Sequence, residues 1–136
     1  MAFSISTGLA TALASTSSLK DALDGGEVRI YAGAVPTSAD DSIGSATLLC
    51  TVLLDGTDPL MLEADGRNLR KPSADTWSGV PVASGTATFF RHVQSSDDDS
   101  ASTTAIRTQG AVGVTNAAEM PLINPTLSTG VTHTLH

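Results

Sequence analysis

After Gly26 the chain alternates: Val28, Ile30 and Ala32 lie on one side of an extended backbone, and Glu27, Arg29 and Tyr31 on the other. A period of two is the mark of a half-buried strand, and no helix can present it as one face. The same grammar recurs downstream. Thr47 to Leu54 is β-branched and apolar on both faces, which predicts a central strand. Asp55-Gly56 and Asp58-Pro59 form a turn, and Leu60, Leu62 and Ala64 continue as a strand to Asp65-Gly66. Gly85 to Val93 reads as one clean strand. Shorter strands are expected over 103–108, 111–114, 119–123 and 131–135. Turn signals at intervals of about eight to twelve residues predict an all-β chain, a jelly-roll-like β-sandwich.

One segment breaks the pattern. Leu19, Ala22 and Leu23 share a helical face, Ser18 and Asp21 form an N-cap pair, and Gly25-Gly26 stops the helix. The spacing predicts one short helix over about 17–24, with an upstream extension reaching back toward Thr7. Residues 1–16 are small and weakly apolar and are expected to form an arm, leaving 17–136 as a single domain.

Composition narrows the function. Fourteen acids against seven bases give a net charge of −7, which disfavours binding a phosphate backbone through a basic face. Only 15% of residues are charged, so Ser, Thr, Ala and Gly must cover much of the exterior. The lone cysteine, Cys50, lies in an apolar run and is expected to be a buried, inert thiol; no disulfide framework or cysteine-rich zinc site follows from it. No stretch is long and apolar enough to span a bilayer. Ala12-Leu13-Ala14-Ser15 resembles a cleavage site, but no Lys or Arg precedes it, so a soluble product of a reducing cytoplasm is expected.

Catalytic chemistry finds little purchase. There is no G-x-S-x-G elbow, and the histidines are His92, His133 and His136. His133 and His136 fall on opposite faces of a strand, which disfavours shared metal ligation. Asp97-Asp98-Asp99 lacks the spaced oxygen pattern of a calcium loop and is expected to be an exposed turn. Asp24-Gly25-Gly26 runs from helix to strand, the reverse of a dinucleotide loop. The expectation is no catalytic residue, no metal and no cofactor. Arg67, Arg70 and Lys71 gather in the least regular stretch, 67–79, and suggest a loop that docks on an acidic neighbour. Trp77 follows in that stretch, and Phe89 and Phe90 point to opposite faces of their strand, so one of them requires a second layer or a partner. The candidate interface residues are thus Arg67, Arg70, Lys71, Trp77 and Phe90.

A resemblance rests on an ordered series: the helix with Leu23-Asp24-Gly25-Gly26, Glu27 to Gly33 with Pro36 and Ala39-Asp40 following, Thr47-Leu48-Leu49, Gly85 to Arg91, and Gly130-Val131-Thr132. Together these resemble small virion proteins of tailed bacteriophages, and most nearly a capsid cement (decoration) protein of short-tailed phages. The resemblance covers residues 17–135; 67–77 and Asp97 to Asp99 lie outside its motifs. It implies a jelly roll made in the host cytoplasm and bound to the exterior of the virion, with the major capsid protein as partner and no catalytic residues. Closed symmetry adds a homodimer or homotrimer on a capsid axis. A tail or neck protein and a carbohydrate-binding β-sandwich are the alternatives.

Overall fold

A computed structural model describes residues 4–15, 18–66, 68–113, 120–121 and 126–135. It is mostly β, with a minor helical part. The chain opens with β1 (Ser4–Ile5), α1 (Thr7–Ser15) and α2 (Leu19–Leu23), followed by β2 (Gly26–Ala32) and β3 (Thr47–Leu54). Then come β4 (Glu63–Asp65), β5 (Asn68–Arg70), β6 (Trp77–Gly79), β7 (Gly85–Thr86) and β8 (Phe89–Gln94). It closes with β9 (Arg107–Gly113), β10 (Met120–Pro121), β11 (Thr126–Leu127) and β12 (His133–Leu135).

The main sheet runs β1-β9-β8-β2-β3-β6-β12, antiparallel throughout, and β10 joins β9 in parallel. Two small sheets stand apart: the β4–β5 hairpin and the β7–β11 pair. Thr47–Leu54 lies inside the main sheet, where its two-sided apolar character placed it. A bulge between Ile30 and Tyr31 shifts the β2–β3 register. The inner core joins Val28, Ile30, Cys50, Val52 and Phe90 of the sheet to Ala87 and Leu127 of the β7–β11 region.

Helix α2 forms for the reason its sequence advertised. Ser18 sits extended at the N-cap and its Oγ accepts the Asp21 N–H at 3.1 Å. Gly25, at φ +83°, then turns the chain into β2. The upstream extension is a separate helix with its own cap: Ser6 Oγ accepts from Leu9 N at 3.1 Å and Arg107 N at 2.9 Å, and donates to the Ala105 carbonyl at 2.7 Å. Leu9 is completely buried against Ala22 and Leu23. From Ser4 to Ser15 the segment expected as an arm is therefore docked on the chain's own sheet.

Several strands differ from expectation. Gly85 to Val93 is split, because Gly85–Thr86 pairs with β11 while Phe89–Gln94 pairs with β2 and β9. Leu60 makes only an isolated bridge to Gly26, and Leu62 N donates to Asp24 Oδ1 at 2.7 Å, so a regular strand begins at Glu63. The strand expected over 103–108 starts at Arg107 and runs to Gly113, since Ser102 Oγ captures the N–H groups of Thr104 and Ala105 in a turn. The irregular 67–79 stretch ends in β6, paired between β3 and the edge strand β12 of the main sheet. Strand β2 is buried on both faces, not one. That last difference leads to the polar site.

Candidate functional site

Alternation along β2 places Glu27, Arg29 and Tyr31 on the face turned away from the inner core. The register lays Arg29 beside Arg91 and Arg91 beside Gln109. Phe89, Val93 and Arg107 share that face. Two loops, 33–46 and 95–106, cover it, leaving Arg91 and Gln109 fully buried and Arg107 nearly so. Among the described residues this is the largest concentration of buried charge.

The guanidinium groups act as tie-points. Arg107 forms a bidentate pair with Asp97, Nε to Oδ2 at 2.6 Å and Nη2 to Oδ1 at 2.8 Å. It also donates to the carbonyls of Ala39 at 3.1 Å and Ser100 at 2.6 Å. Arg29 donates to Glu27 Oε2 and to the Asp97 carbonyl, each at 2.8 Å, and lies 3.2 Å from Asp99 Oδ1. Tyr31 gives its hydroxyl proton to Asp99 Oδ1 at 2.8 Å and stacks on Phe89 with ring centroids 4.8 Å apart. Arg91 donates to Gln109 Oε1 at 2.9 Å and to the carbonyls of Ser38 at 3.3 Å and Asp41 at 2.7 Å. Gln109 in turn donates to the Pro36 carbonyl at 2.9 Å.

The loops carry buried carbonyls that no ladder satisfies, and these side chains supply the donors. The loops are also tied to each other and to α1. Ser102 N donates to the Asp40 carbonyl at 2.8 Å, and the Asp40 carboxylate receives the Thr7 N–H at 2.7 Å at the start of α1.

Electrostatics follow the geometry. Burial would raise the Asp97 carboxyl, but the Arg107 hydrogen bonds, the Asp99 N–H and the arginine charges outweigh it and hold it below the usual carboxylate range. Burial and the Asp99 hydrogen bond push the Tyr31 phenol up. Burial, joined by the Arg107 charge, pulls the Arg91 guanidinium down. Every carboxylate in the layer is engaged as an acceptor, so the arrangement is built to hold loops in place. The acidic run expected as an exposed turn is thus corrected: the Asp97 side chain is only 3% exposed and Asp99 is largely covered, while Asp98 stays outside. Expecting exposure failed because the arginines facing these acids arrive from β2 and β9, distant in sequence.

Beside the layer lies a shallow, open groove of about 430 Å³ lined by Ser96, Asp98, Ser100, Ser102, Thr104 and Ile106 among others, with no aromatic ring. Asp98 Oδ1 already accepts from the Ser100 hydroxyl and N–H, which lowers its carboxyl.

The interface residues expected from sequence are scattered. Arg67 lies outside the described residues. Arg70, on the β4–β5 hairpin, is exposed and reaches Glu63 at 3.1 Å and Asp65 at 3.2 Å. Lys71 Nζ donates to the carbonyls of Pro72 and Asp75, closing its own loop. Trp77 and Phe90 are only 7% and 8% exposed and share the inner core. Their need for a cover is met within the chain, in a core that also takes in Leu49, Val52, Ala87 and Leu127. Cys50 is buried, and burial pushes its thiol up to about 11. His92 is also buried, its Nε2 2.9 Å from the Leu23 carbonyl oxygen; His136 lies outside the described residues.

No family model, curated protein or solved structure matches this chain. The readable signal for the buried layer was the placement of Arg29, Arg91 and Arg107 within strand-forming runs. An arginine flanked by apolar neighbours on a strand must either face water or find acids, and Asp97 to Asp99 were available. Among the described residues, no helix is long and apolar enough to cross a membrane.

Proposed function

We propose that this chain is a virion structural protein of a tailed bacteriophage, a cement protein that binds the outside of the major capsid protein lattice and stabilises the shell. The observation that carries the reading is how charge is partitioned. Arg29, Arg91 and Arg107 are drawn inside: Arg29 pairs with Glu27 and Asp99, Arg107 pairs with Asp97, and Arg91 is held by Gln109 and loop carbonyls. Setting these six charged residues aside leaves eleven acids and four bases for the rest of the chain. An exterior of that sign is repelled by packaged DNA and suits the outer side of a shell.

Rigidity supports the same reading. Long loops tied by buried arginines present a preformed surface, which lowers the ordering cost of docking in many copies. The sequence resemblance set out above points the same way. In this reading the fold is jelly-roll-like, with the main sheet as one layer and the β7–β11 pair, whose Leu127 enters the inner core, as part of a second.

The test is stoichiometry. Quantitative mass spectrometry of purified particles should find the chain in hundreds of copies, and shells stripped of it should rupture at lower temperature and recover on adding it back. About a dozen copies or fewer would assign it to the tail or neck instead.

A further inference from the structure

The acids are unevenly distributed. Residues 76–90 and 126–135 contain no Asp, Glu, Lys or Arg, although the chain carries twenty-one such residues. These two segments are neighbours in space. Strand β12 pairs with β6, β11 pairs with β7, and Gly130 N donates to the Pro81 carbonyl at 3.3 Å. They therefore form one charge-free corner on an acidic molecule.

That corner carries the most exposed large apolar side chains described. Val82 is 70% exposed, Val131 61% and Val80 52%, whereas Pro81, between Val80 and Val82, is buried. The contact between Gly130 and Pro81 brings the turn bearing Val131 against the segment bearing Val80 and Val82. Neutral hydroxyls edge the patch: Ser84 Oγ lies 3.0 Å from Thr129 Oγ1 and accepts the Thr129 N–H at 2.9 Å. An apolar centre with a neutral polar rim is the anatomy of a protein interface.

We infer that this charge-free corner, centred on Val80, Val82 and Val131, is the face through which two or more copies of this chain associate. The occupant follows from charge. Two molecules of net charge −7 repel wherever their acidic surfaces meet. A corner without charges lets copies approach at little electrostatic cost while removing apolar surface from water, and this one carries the most exposed valines. A partner chosen by charge complementarity would be basic and would be met by the acidic surfaces elsewhere. This inference is independent of the virion reading, because it concerns the free chain.

The test is sedimentation equilibrium of the full chain from about 1 to 100 μM. The expected result is a mass that rises with concentration to a multiple of the 13.8 kDa monomer. Association should hold or strengthen between about 50 and 500 mM NaCl, because salt screens the repulsion. Val82→Asp and Val131→Asp should each weaken association at least about tenfold and leave the circular dichroism spectrum unchanged. Leu13→Asp, an exposed apolar position on α1, should leave association intact. A wild-type chain that stays monomeric throughout overturns the inference, as does association that weakens with salt or survives both valine changes. If the chain is monomeric in solution and Val82→Asp abolishes binding to stripped shells, the corner belongs to the shell and the inference is likewise overturned.

Discussion

Replacing Asp97 by Asn isolates the contribution of the buried ion layer. The change keeps the side chain's size and one acceptor oxygen but removes the charge that faces Arg107 at 2.6 and 2.8 Å. With the Asp97 side chain 3% exposed and that of Arg107 1%, water cannot replace the lost partner. Removing one member of a buried pair costs about 3–5 kcal/mol, and a retained Asn hydrogen bond places the expected loss near the lower end, about 3 kcal/mol. For a domain of this size each kcal/mol corresponds to about 3–5 °C, so Tm should fall by about 10–15 °C.

Urea unfolding followed by Trp77 fluorescence gives the free energy directly. The pH dependence supplies a second check. The folded Asp97 carboxyl lies below its ordinary value of 3.8, so its stabilisation is present above that value and is lost as the pH falls through the lower, folded value. The gap between wild type and variant should therefore be widest near neutrality and narrow in strong acid. A loss under about 1 kcal/mol at pH 7, the range of surface pairs, or a gap independent of pH, would refute the claim that this pair holds the loops.

Three further outcomes follow from the structure. A Cβ at Gly8 would overlap the carbonyl oxygens of Thr104 and Ala105, so Gly8→Ala should lift α1 and expose the N-terminal segment to protease, at a cost of about 1–3 kcal/mol. Burial pulls the His92 imidazole below its ordinary value of 6.5, although the Leu23 carbonyl partly opposes this. The unfolded chain thus binds the proton first, and stability should decline as the pH falls below 6.5; His92→Gln should flatten that slope in urea titrations between about pH 5 and 7. Cys50, buried and shifted to about 11, should resist a thiol reagent in the native protein and react once per chain in denaturant.

What could be read in advance was what depends on neighbours along the chain. The Ser18–Asp21 cap, the Gly25 reversal, the Asp55-Gly56 turn and the two-sided strand Thr47–Leu54 are local effects of side-chain geometry and alternation, and each stands where the sequence places it. The buried state of Cys50 followed from its apolar run. What stayed hidden depends on register between distant strands. Nothing near Asp97 announces Arg107 at 2.6 Å or Arg29 from β2, and so an acidic run looked like a solvated turn. The split of Gly85 to Val93 between two sheets, and the burial of Trp77 and Phe90, were likewise decided by which strands pair. The charge-free corner lies between these cases: its composition is visible in the sequence, but only the pairing of β12 with β6 and β11 with β7 gathers two separated segments into one surface. Local chemistry chose the elements; long-range pairing chose which polar groups went inside, because a buried charge is tolerated only where tertiary structure delivers its partner.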